Sequence, residues 1–133
     1  MKSSPTLTIG EAAGQFGLPP HVLRHWETMG LLSPAREAGG RRRYGSSDLY
    51  RIAGILLAKE AGLGLTDIRD ILTTADLETR RRITRRHRDE LLRRITEMQA
   101  ALNLIEGGLT CQHEDITECP HYQALVAGRM AHS

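Results

Sequence analysis

The chain has 133 residues, a formal net charge of +2 at pH 7 and 40% hydrophobic residues, a composition that suits one small globular domain with an appendage. A charge so close to neutral does not by itself indicate nucleic-acid binding. No segment is long and apolar enough for a membrane span or a secretory signal, so we expect a cytoplasmic protein with no membrane partner and with reduced cysteines.

The first thirty residues predict a helix-turn-helix. Residues 1–6 are expected to be disordered, after which Thr8 and Glu11 have the spacing of a capping box at the start of a helix over about 9–16. A proline-containing turn follows, and a second helix is expected over about 21–29. Two short helices joined by a tight turn are typical of a DNA-binding motif whose second helix enters the major groove.

An arginine-rich β-hairpin is predicted directly after this motif. Short extended segments flank the Gly39-Gly40 turn, and four arginines lie on them. Arginine makes planar, bidentate contacts with phosphates and guanine edges, and a wing beside a helix-turn-helix reaches the phosphates next to the groove. The candidate DNA-binding residues are His21, Arg24, His25, Trp26, Arg36, Gly40, Arg41, Arg42, Arg43 and Tyr44.

Several of these candidates have a second interpretation. Trp26 is the only tryptophan and lies four residues after Val22, which favours packing in the core over a contact between its indole and a phosphate. Tyr44 either bonds a phosphate or anchors the wing on the core. The wing arginines either contact DNA or are simply solvated.

A pair of helices is expected after the wing. Ser46 or Ser47 should cap a helix over about 48–60, and Thr66 should cap a shorter helix that carries several isoleucines and leucines. The residues expected to face inward from the first of these helices are Leu49, Ile52, Leu56 and Leu57.

A long helix is predicted over about 77–105, with Gly107-Gly108 as its stop signal. The arginines from Arg80 to Arg94 are interpreted as a solvated face. Apolar residues in the second half recur at steps of 4, 3, 4 and 3, which indicates a coiled-coil seam that a second copy of the chain would cover. The predicted dimerisation residues are Leu91, Ile95, Met98, Leu102 and Ile105.

The tail repeats a Cys-x-His unit, which gives a candidate metal site of Cys111, His113, Cys119 and His121. Two thiolates and two imidazoles suit a tetrahedral site for zinc or another soft transition metal. Two other interpretations stay open. The thiols form a reversible disulfide, or they pack as small hydrophobic groups.

The order of these elements resembles the MerR family of transcription regulators over about residues 7–106. The spacing of Cys111 and Cys119, with Pro120 after the second, is similar to the metal-binding loop of the copper-efflux branch of that family. The segments that carry the wider resemblance are Ile9–Ala13, Leu23–Glu27, Gly30–Leu32 with Pro34, Gly40–Tyr44, and Gly62–Leu65 with Ile68 and Leu72.

The resemblance implies a mainly α fold. A winged helix-turn-helix domain would occupy residues 7–75, a dimerisation helix residues 76–107, and an effector loop with its tail residues 108–133. The long helices would pair as an antiparallel coiled coil in a homodimer. Such regulators bind a palindromic operator in a promoter, and effector binding makes them distort the DNA, so RNA polymerase is an indirect partner.

Two other functions are weighed against a metal-gated regulator. The same DNA-binding protein could respond to thiol oxidation or to an organic ligand. An accessory protein could use the coiled coil without binding DNA, although the arginine wing argues against that. An enzyme is not expected, because the sequence has neither a nucleophile with a base and an orienting group nor a phosphate-binding glycine loop.

Overall fold

Six α-helices and one short hairpin make up the fold, which a computed structural model describes over residues 5–131. The chain divides between His87 and Arg88 into two units. Within residues 5–131, no helix combines the length and the apolarity needed to cross a membrane. The elements in chain order are α1 Ile9–Gln15, α2 Pro20–Thr28, β1 Ala35–Arg36, β2 Arg42–Arg43, α3 Ser46–Glu60, α4 Leu65–Thr73, α5 Leu77–Thr110, a 3-10 turn Ile116–Glu118, and α6 Pro120–Met130.

The helix-turn-helix is formed by α1 and α2, and the predicted mainly helical, winged fold is confirmed. Thr8 and Glu11 make both hydrogen bonds of the capping box: the Glu11 amide donates to the Thr8 hydroxyl at 3.2 Å, and the Thr8 amide donates to the Glu11 carboxylate at 2.9 Å. Pro20 is the first residue of α2, where its missing N–H costs no helical hydrogen bond. The order of capping signals therefore fixes where both helices begin.

One hydrophobic core joins α1 to α4 and the end of the wing. Trp26 is 1% exposed, as the packing interpretation of the sequence expects, and the ammonium of Lys59 lies 5.8 Å from the centre of its ring. The guanidinium of Arg51 donates to the carbonyl of Leu31 at 2.6 Å, which ties α3 to the segment that leaves α2. The buried residues of this core are Ala12, Ala13, Leu23, Trp26, Leu31, Leu32, Tyr44, Ile52, Ile55 and Ile68.

The start of α3 differs from the sequence prediction. Gly45, and not a serine, is the cap residue, and its amide donates to the Asp48 carboxylate at 2.8 Å. The Asp48 carboxylate thus bonds the amide of the cap residue, and α3 begins two residues before the predicted start. In the same way α4 begins at Leu65 after Gly64, so Thr66 is not its cap.

The inward face of α3 also differs at one position. Leu57 was expected to be buried but is 69% exposed, whereas Ile55 is fully buried beside Ile52. A step of five residues turns a helix by about 140° from its starting direction, so Leu57 lies well off the stripe that Ile52 and Ile55 define.

The segment before α1 is anchored to the wing. The backbones of Leu7 and Tyr44 exchange two hydrogen bonds of 2.8 Å, and the Arg43 guanidinium donates to the hydroxyl and the carbonyl of Thr6, each at 2.9 Å. The disorder predicted for residues 1–6 therefore does not extend to Thr6. Residues 1–4 lie outside the described residues.

The long helix α5 does not stop at its glycine pair. It passes through Gly107 and Gly108 and ends at Thr110, so the predicted stop was wrong. Glycine inside a helix is favoured where another group comes close. A Cβ at Gly107 would lie 3.4 Å from Nε2 of His121, a residue of α6, which is a helix that the sequence analysis did not predict.

A buried hydroxyl in the wing anchor leads to a stability test. Tyr44 is fully buried, its burial raises the pKa of the phenol, and its Oη has no hydrogen-bond partner among residues 5–131. An unpaired buried polar group costs about 1–3 kcal/mol. We expect Tyr44→Phe to leave the free energy of unfolding unchanged or to raise it by about 1 kcal/mol.

Urea denaturation of the wild type and the variant measures this difference. Tyr50→Phe is the matched control, because Tyr50 is 86% exposed and its hydroxyl should be energetically neutral. A loss of more than about 1 kcal/mol for Tyr44→Phe alone would show that the Tyr44 hydroxyl is satisfied, for example by water, and would contradict the prediction.

Candidate nucleic-acid interface and Cys/His cluster

The outer face of α2 is polar and open to solvent. His21, Arg24 and His25 are exposed, whereas Leu23 and Trp26 are buried. This division follows the helical period, because residues three apart lie on one face. The guanidinium of Arg24 forms no ion pair or hydrogen bond within residues 5–131, so it is available to an anionic partner.

The wing is a hairpin of two residue pairs. Arg36 pairs with Arg42 across the antiparallel strands β1 and β2, and the Glu37 amide donates to the Arg41 carbonyl at 3.0 Å to close the loop. Gly40 has φ 82°, a left-handed conformation that glycine adopts without strain. Such a loop, with glycine in the left-handed position, is a common three-residue hairpin connection. Its tip exposes Gly40 and the side chain of Arg41.

Two wing arginines are bound to a carboxylate on α2. Glu27 accepts from Nη2 of Arg36 at 2.7 Å through Oε1 and from Nε of Arg42 through Oε2. The Glu27 side chain is 21% exposed. Partial burial opposes its ionisation, but the hydrogen bonds and positive charges of Arg42 and Arg36 outweigh burial and hold the pKa of Glu27 below its ordinary value. Glu27 is therefore a carboxylate at neutral pH.

The structure sorts the ten predicted DNA-binding residues into three groups. Trp26 and Tyr44 are buried, and the side chains of Arg36, Arg42 and Arg43 are bonded to other protein groups. The residues that remain exposed without such bonds are His21, Arg24, His25, Gly40 and Arg41.

Sequence reasoning missed Glu27, although one signal pointed to it. It is the single acidic residue of α2, and it directly follows the candidate DNA-binding residues of that helix. A partly buried carboxylate needs a counter-charge nearby, and Arg36 and Arg42 of the wing supply it.

The tail brings three of the four candidate metal ligands together. One ligand atom from each of Cys111, His113 and Cys119 lies within 4.8 Å of the others, and the Cys111 sulfur is 3.4 Å from Nδ1 of His113. Both cysteines are free thiols. Two sulfurs and one imidazole nitrogen are a soft donor set, which fits zinc or a similar transition metal with one position left open.

The surroundings of Cys119 favour its thiolate form. It lies at the N-terminus of α6, where the backbone amide of Tyr122 lowers its pKa most. Burial opposes this effect, and the Cys111 side chain and the His121 amide add to the lowering, so the net pKa of Cys119 is below its ordinary value. Because the thiolate is the form that binds metals, this environment favours ligation relative to an ordinary cysteine.

His121 lies apart from the three-residue cluster. Its imidazole packs against Gly107 of α5, where the missing side chain leaves room for the ring. It lines an apolar pocket of about 230 Å³ together with Ile105, Ile116 and Leu125, and both cysteines border the same pocket. His121, the predicted fourth ligand, thus lines the neighbouring pocket and is not part of the cluster.

The predicted seam of α5 is an exposed apolar face. Its five residues are 39% to 66% exposed, and Leu109 at the end of the helix is 82% exposed. An apolar stripe of this length is unusual on a solvated helix and is typical of interaction surfaces. The residues are Leu91, Ile95, Met98, Leu102 and Ile105.

Comparison with known proteins gives consistent results. The family described as "MerR HTH family regulatory protein" matches residues 7–75, and the one described as "MerR, DNA binding" matches residues 49–107. An uncharacterised HTH-type transcriptional regulator of Pseudomonas aeruginosa is 31% identical over 132 residues, which cover 92% of this chain and 98% of the relative. A probable heavy metal-dependent transcriptional regulator of Haemophilus influenzae is 32% identical over 120 residues, which cover 85% of this chain and 94% of the relative.

Solved structures agree with the sequence matches. A crystal structure of a MerR family regulator that lacks the sensor domain, bound to promoter DNA, matches with a TM-score of 0.60 and 26% identity, over 78% of this chain and 87% of that one. The two family matches together extend from residue 7 to residue 107, which is most of the chain. The chain therefore belongs to the MerR family of DNA-binding transcriptional regulators, whose members regulate transcription and are not enzymes.

Proposed function

We propose that this regulator binds a palindromic promoter operator as a homodimer and that a soft metal ion at the tail is its effector. The observation that carries the proposal is the exposed, uncompensated charge of Arg24 on α2 and Arg41 at the wing tip. The two groups suit different tasks. A recognition helix reads base edges in the major groove, and a wing arginine binds the phosphates that border the groove.

The homodimer is supported by the apolar face of α5. Leaving five large apolar side chains in water is unfavourable by about 25 cal/mol for each Å² that could be buried. A second copy offers an identical face, and heptad spacing lets the two faces interlock in an antiparallel pair. Two copies also present two recognition helices, which is the symmetry that a palindromic operator requires.

The proposed response to the effector is a change in DNA shape. Bending or untwisting a site of this size costs on the order of 1–6 kcal/mol. A ligand that binds one protein state about 10⁴-fold more tightly supplies about 5.5 kcal/mol, which is the same scale. RNA polymerase would then engage a promoter whose elements the regulator has realigned.

A soft metal is favoured as the effector by the Cys111, His113 and Cys119 cluster and by the lowered pKa of Cys119. The Haemophilus influenzae relative is described as heavy metal-dependent, which agrees with this assignment. These three side chains would hold the ion, and their fixed separation would let it order the tail. Thiol oxidation is the second candidate, because the two sulfurs lie in the same 4.8 Å cluster.

The first prediction concerns DNA binding. Using a duplex selected from a random library by the wild-type protein, we expect Arg41→Ala to lower the salt slope of binding by about 1 per chain, because one phosphate contact is lost. Arg24→Ala should cost about 1–3 kcal/mol and relax preference among base substitutions. Fluorescence anisotropy over a series of KCl concentrations measures both effects.

Arg88→Ala serves as the control, because Arg88 is an exposed residue of α5 that pairs with Asp89. It should bind like the wild type. If the wild-type protein selects no sequence, or if all three variants share its salt slope, the proposed operator contact is wrong.

The second prediction concerns the dimer. The chain mass is 14.8 kDa, and sedimentation velocity should give twice this value at micromolar concentration. Ile95→Asp places a charge in the apolar seam and should shift the protein to monomer. Thr96→Asp, one residue away and off the seam, should leave the dimer intact. A wild-type protein that sediments as a monomer at all concentrations would refute the dimer.

The third prediction concerns the metal. Protein purified anaerobically with reductant should bind zinc or another soft ion, and replacing Cys111 and Cys119 by serine should weaken binding by more than about 100-fold. This expectation reflects the loss of direct ligands, which exceeds the ~10–100-fold effect typical of outer-shell partners. His113→Gln should weaken binding as well. Competition with a chromophoric chelator measures these affinities.

His121→Gln is the matched control and should retain most of the affinity, because the imidazole packs against Gly107 outside the cluster. A protein that refuses every added metal would overturn the metal assignment. Rapid formation of a Cys111–Cys119 disulfide with peroxide, detected by mass spectrometry, would then support the oxidation alternative.

A further inference from the structure

We infer that Glu27 is a positioning residue of the DNA interface, and that Arg36 and Arg42 act through it instead of contacting DNA. The inference rests on the operator binding proposed above and goes beyond it, because it assigns a carboxylate and two arginines to holding the wing. Glu27 is on α2, and its two oxygens bind one arginine from each strand of the hairpin. A single side chain thus connects α2 with β1 and β2.

The connection continues to the tip of the wing. Arg36 donates through Nη2 to Glu27 and through Nη1 to the carbonyl of Gly40 at 3.0 Å. Gly40 immediately precedes Arg41, so the position of the exposed guanidinium depends on a path that begins at Glu27. A planar guanidinium suits this role, because its donors point in fixed directions.

Removal of the Glu27 charge should change the DNA affinity in opposite directions under the two interpretations. Glu27 lies among the DNA-facing residues, where an isolated carboxylate would repel phosphates. Removing a bystander acid from such a surface should therefore strengthen DNA binding. Removing an acid that positions the wing should weaken it, even though the surface becomes more positive.

The state of the ion pairs supports the positioning role. The Glu27 and Arg42 side chains are only 21% and 26% exposed, and the lowered pKa keeps the carboxylate ionised near neutral pH. Both carboxylate oxygens are engaged, so the two guanidinium groups are oriented towards α2. An arginine held in this way would have to leave a partly buried partner before it could reach a phosphate.

The test compares Glu27→Gln, Arg42→Ala and Arg41→Ala in the full-length protein, with the selected duplex and with a shuffled duplex, at several KCl concentrations. We expect Glu27→Gln and Arg42→Ala each to weaken binding to the selected duplex about 10-fold and to lower its salt slope by similar amounts, because both changes displace Arg41 from its phosphate. Binding to the shuffled duplex should stay within about 2-fold. The double variant Glu27→Gln, Arg42→Ala should be no weaker than the worse single variant, because both changes break the same contact.

The outcomes separate this inference from the proposed function. Tighter binding by Glu27→Gln, or a salt slope that falls in Arg42→Ala but not in Glu27→Gln, would show that Arg42 contacts a phosphate itself and would overturn the inference. A wild-type protein that selects no duplex, or an Arg41→Ala variant with an unchanged salt slope, would instead count against the proposed operator contact.

Folding is monitored by thermal melting, and binding is measured well below the midpoint of each variant. A purely structural role would lower the melting midpoint and leave the affinity of the folded protein for the selected duplex unchanged, which would also overturn the inference. Glu27→Asp provides the conservative comparison. It keeps the charge but shortens the reach, so we expect it to restore part of the affinity that Glu27→Gln loses.

Discussion

A hairpin of two residue pairs cannot hold its own shape in water, since even longer isolated two-stranded ribbons are marginally stable. The wing therefore depends on bonds to the rest of its unit: the buried ring of Tyr44, the backbone pairing of Tyr44 with Leu7, and the ion pairs of Glu27. These anchors bond the hairpin to α2, to the segment before α1 and to the core, so together they hold it in place. The exposed tip is short, so holding the two strands also limits the movement of the tip.

The same dependence explains how a chain with a net charge of only +2 can present a cationic surface. Of the four wing arginines, three are bonded within the protein, and only the guanidinium of Arg41 is without such a partner among residues 5–131. The positive charge of this surface depends on where unpaired arginines lie and not on the net charge of the chain. We therefore expect the proposed interface to lose affinity when the wing shifts, even if no charge is removed.

The sequence was most informative where one local interaction decides the structure. Three such features were predictable: the capping box of Thr8 and Glu11, the helical spacing that buries Trp26, and the Gly39-Gly40 turn. It was least informative where the partner comes from elsewhere in the chain. Gly107 has the appearance of a helix stop until His121 of α6 is placed against it. Long-range pairing likewise decides that Arg36 and Arg42 face Glu27, and no spacing rule contains that information.

Within the second unit, the proposed dimer face reaches the pocket that borders the proposed effector cluster. Ile105 is the last position of the seam and also lines the pocket that Cys111 and Cys119 border. If two chains pair along α5, any change in the packing of the tail against Ile105 must also alter the end of the seam, because packed side chains move together. Coupling between two sites needs an element whose arrangement both can bias. The end of α5, which stays helical through Gly107 and Gly108, would meet that requirement.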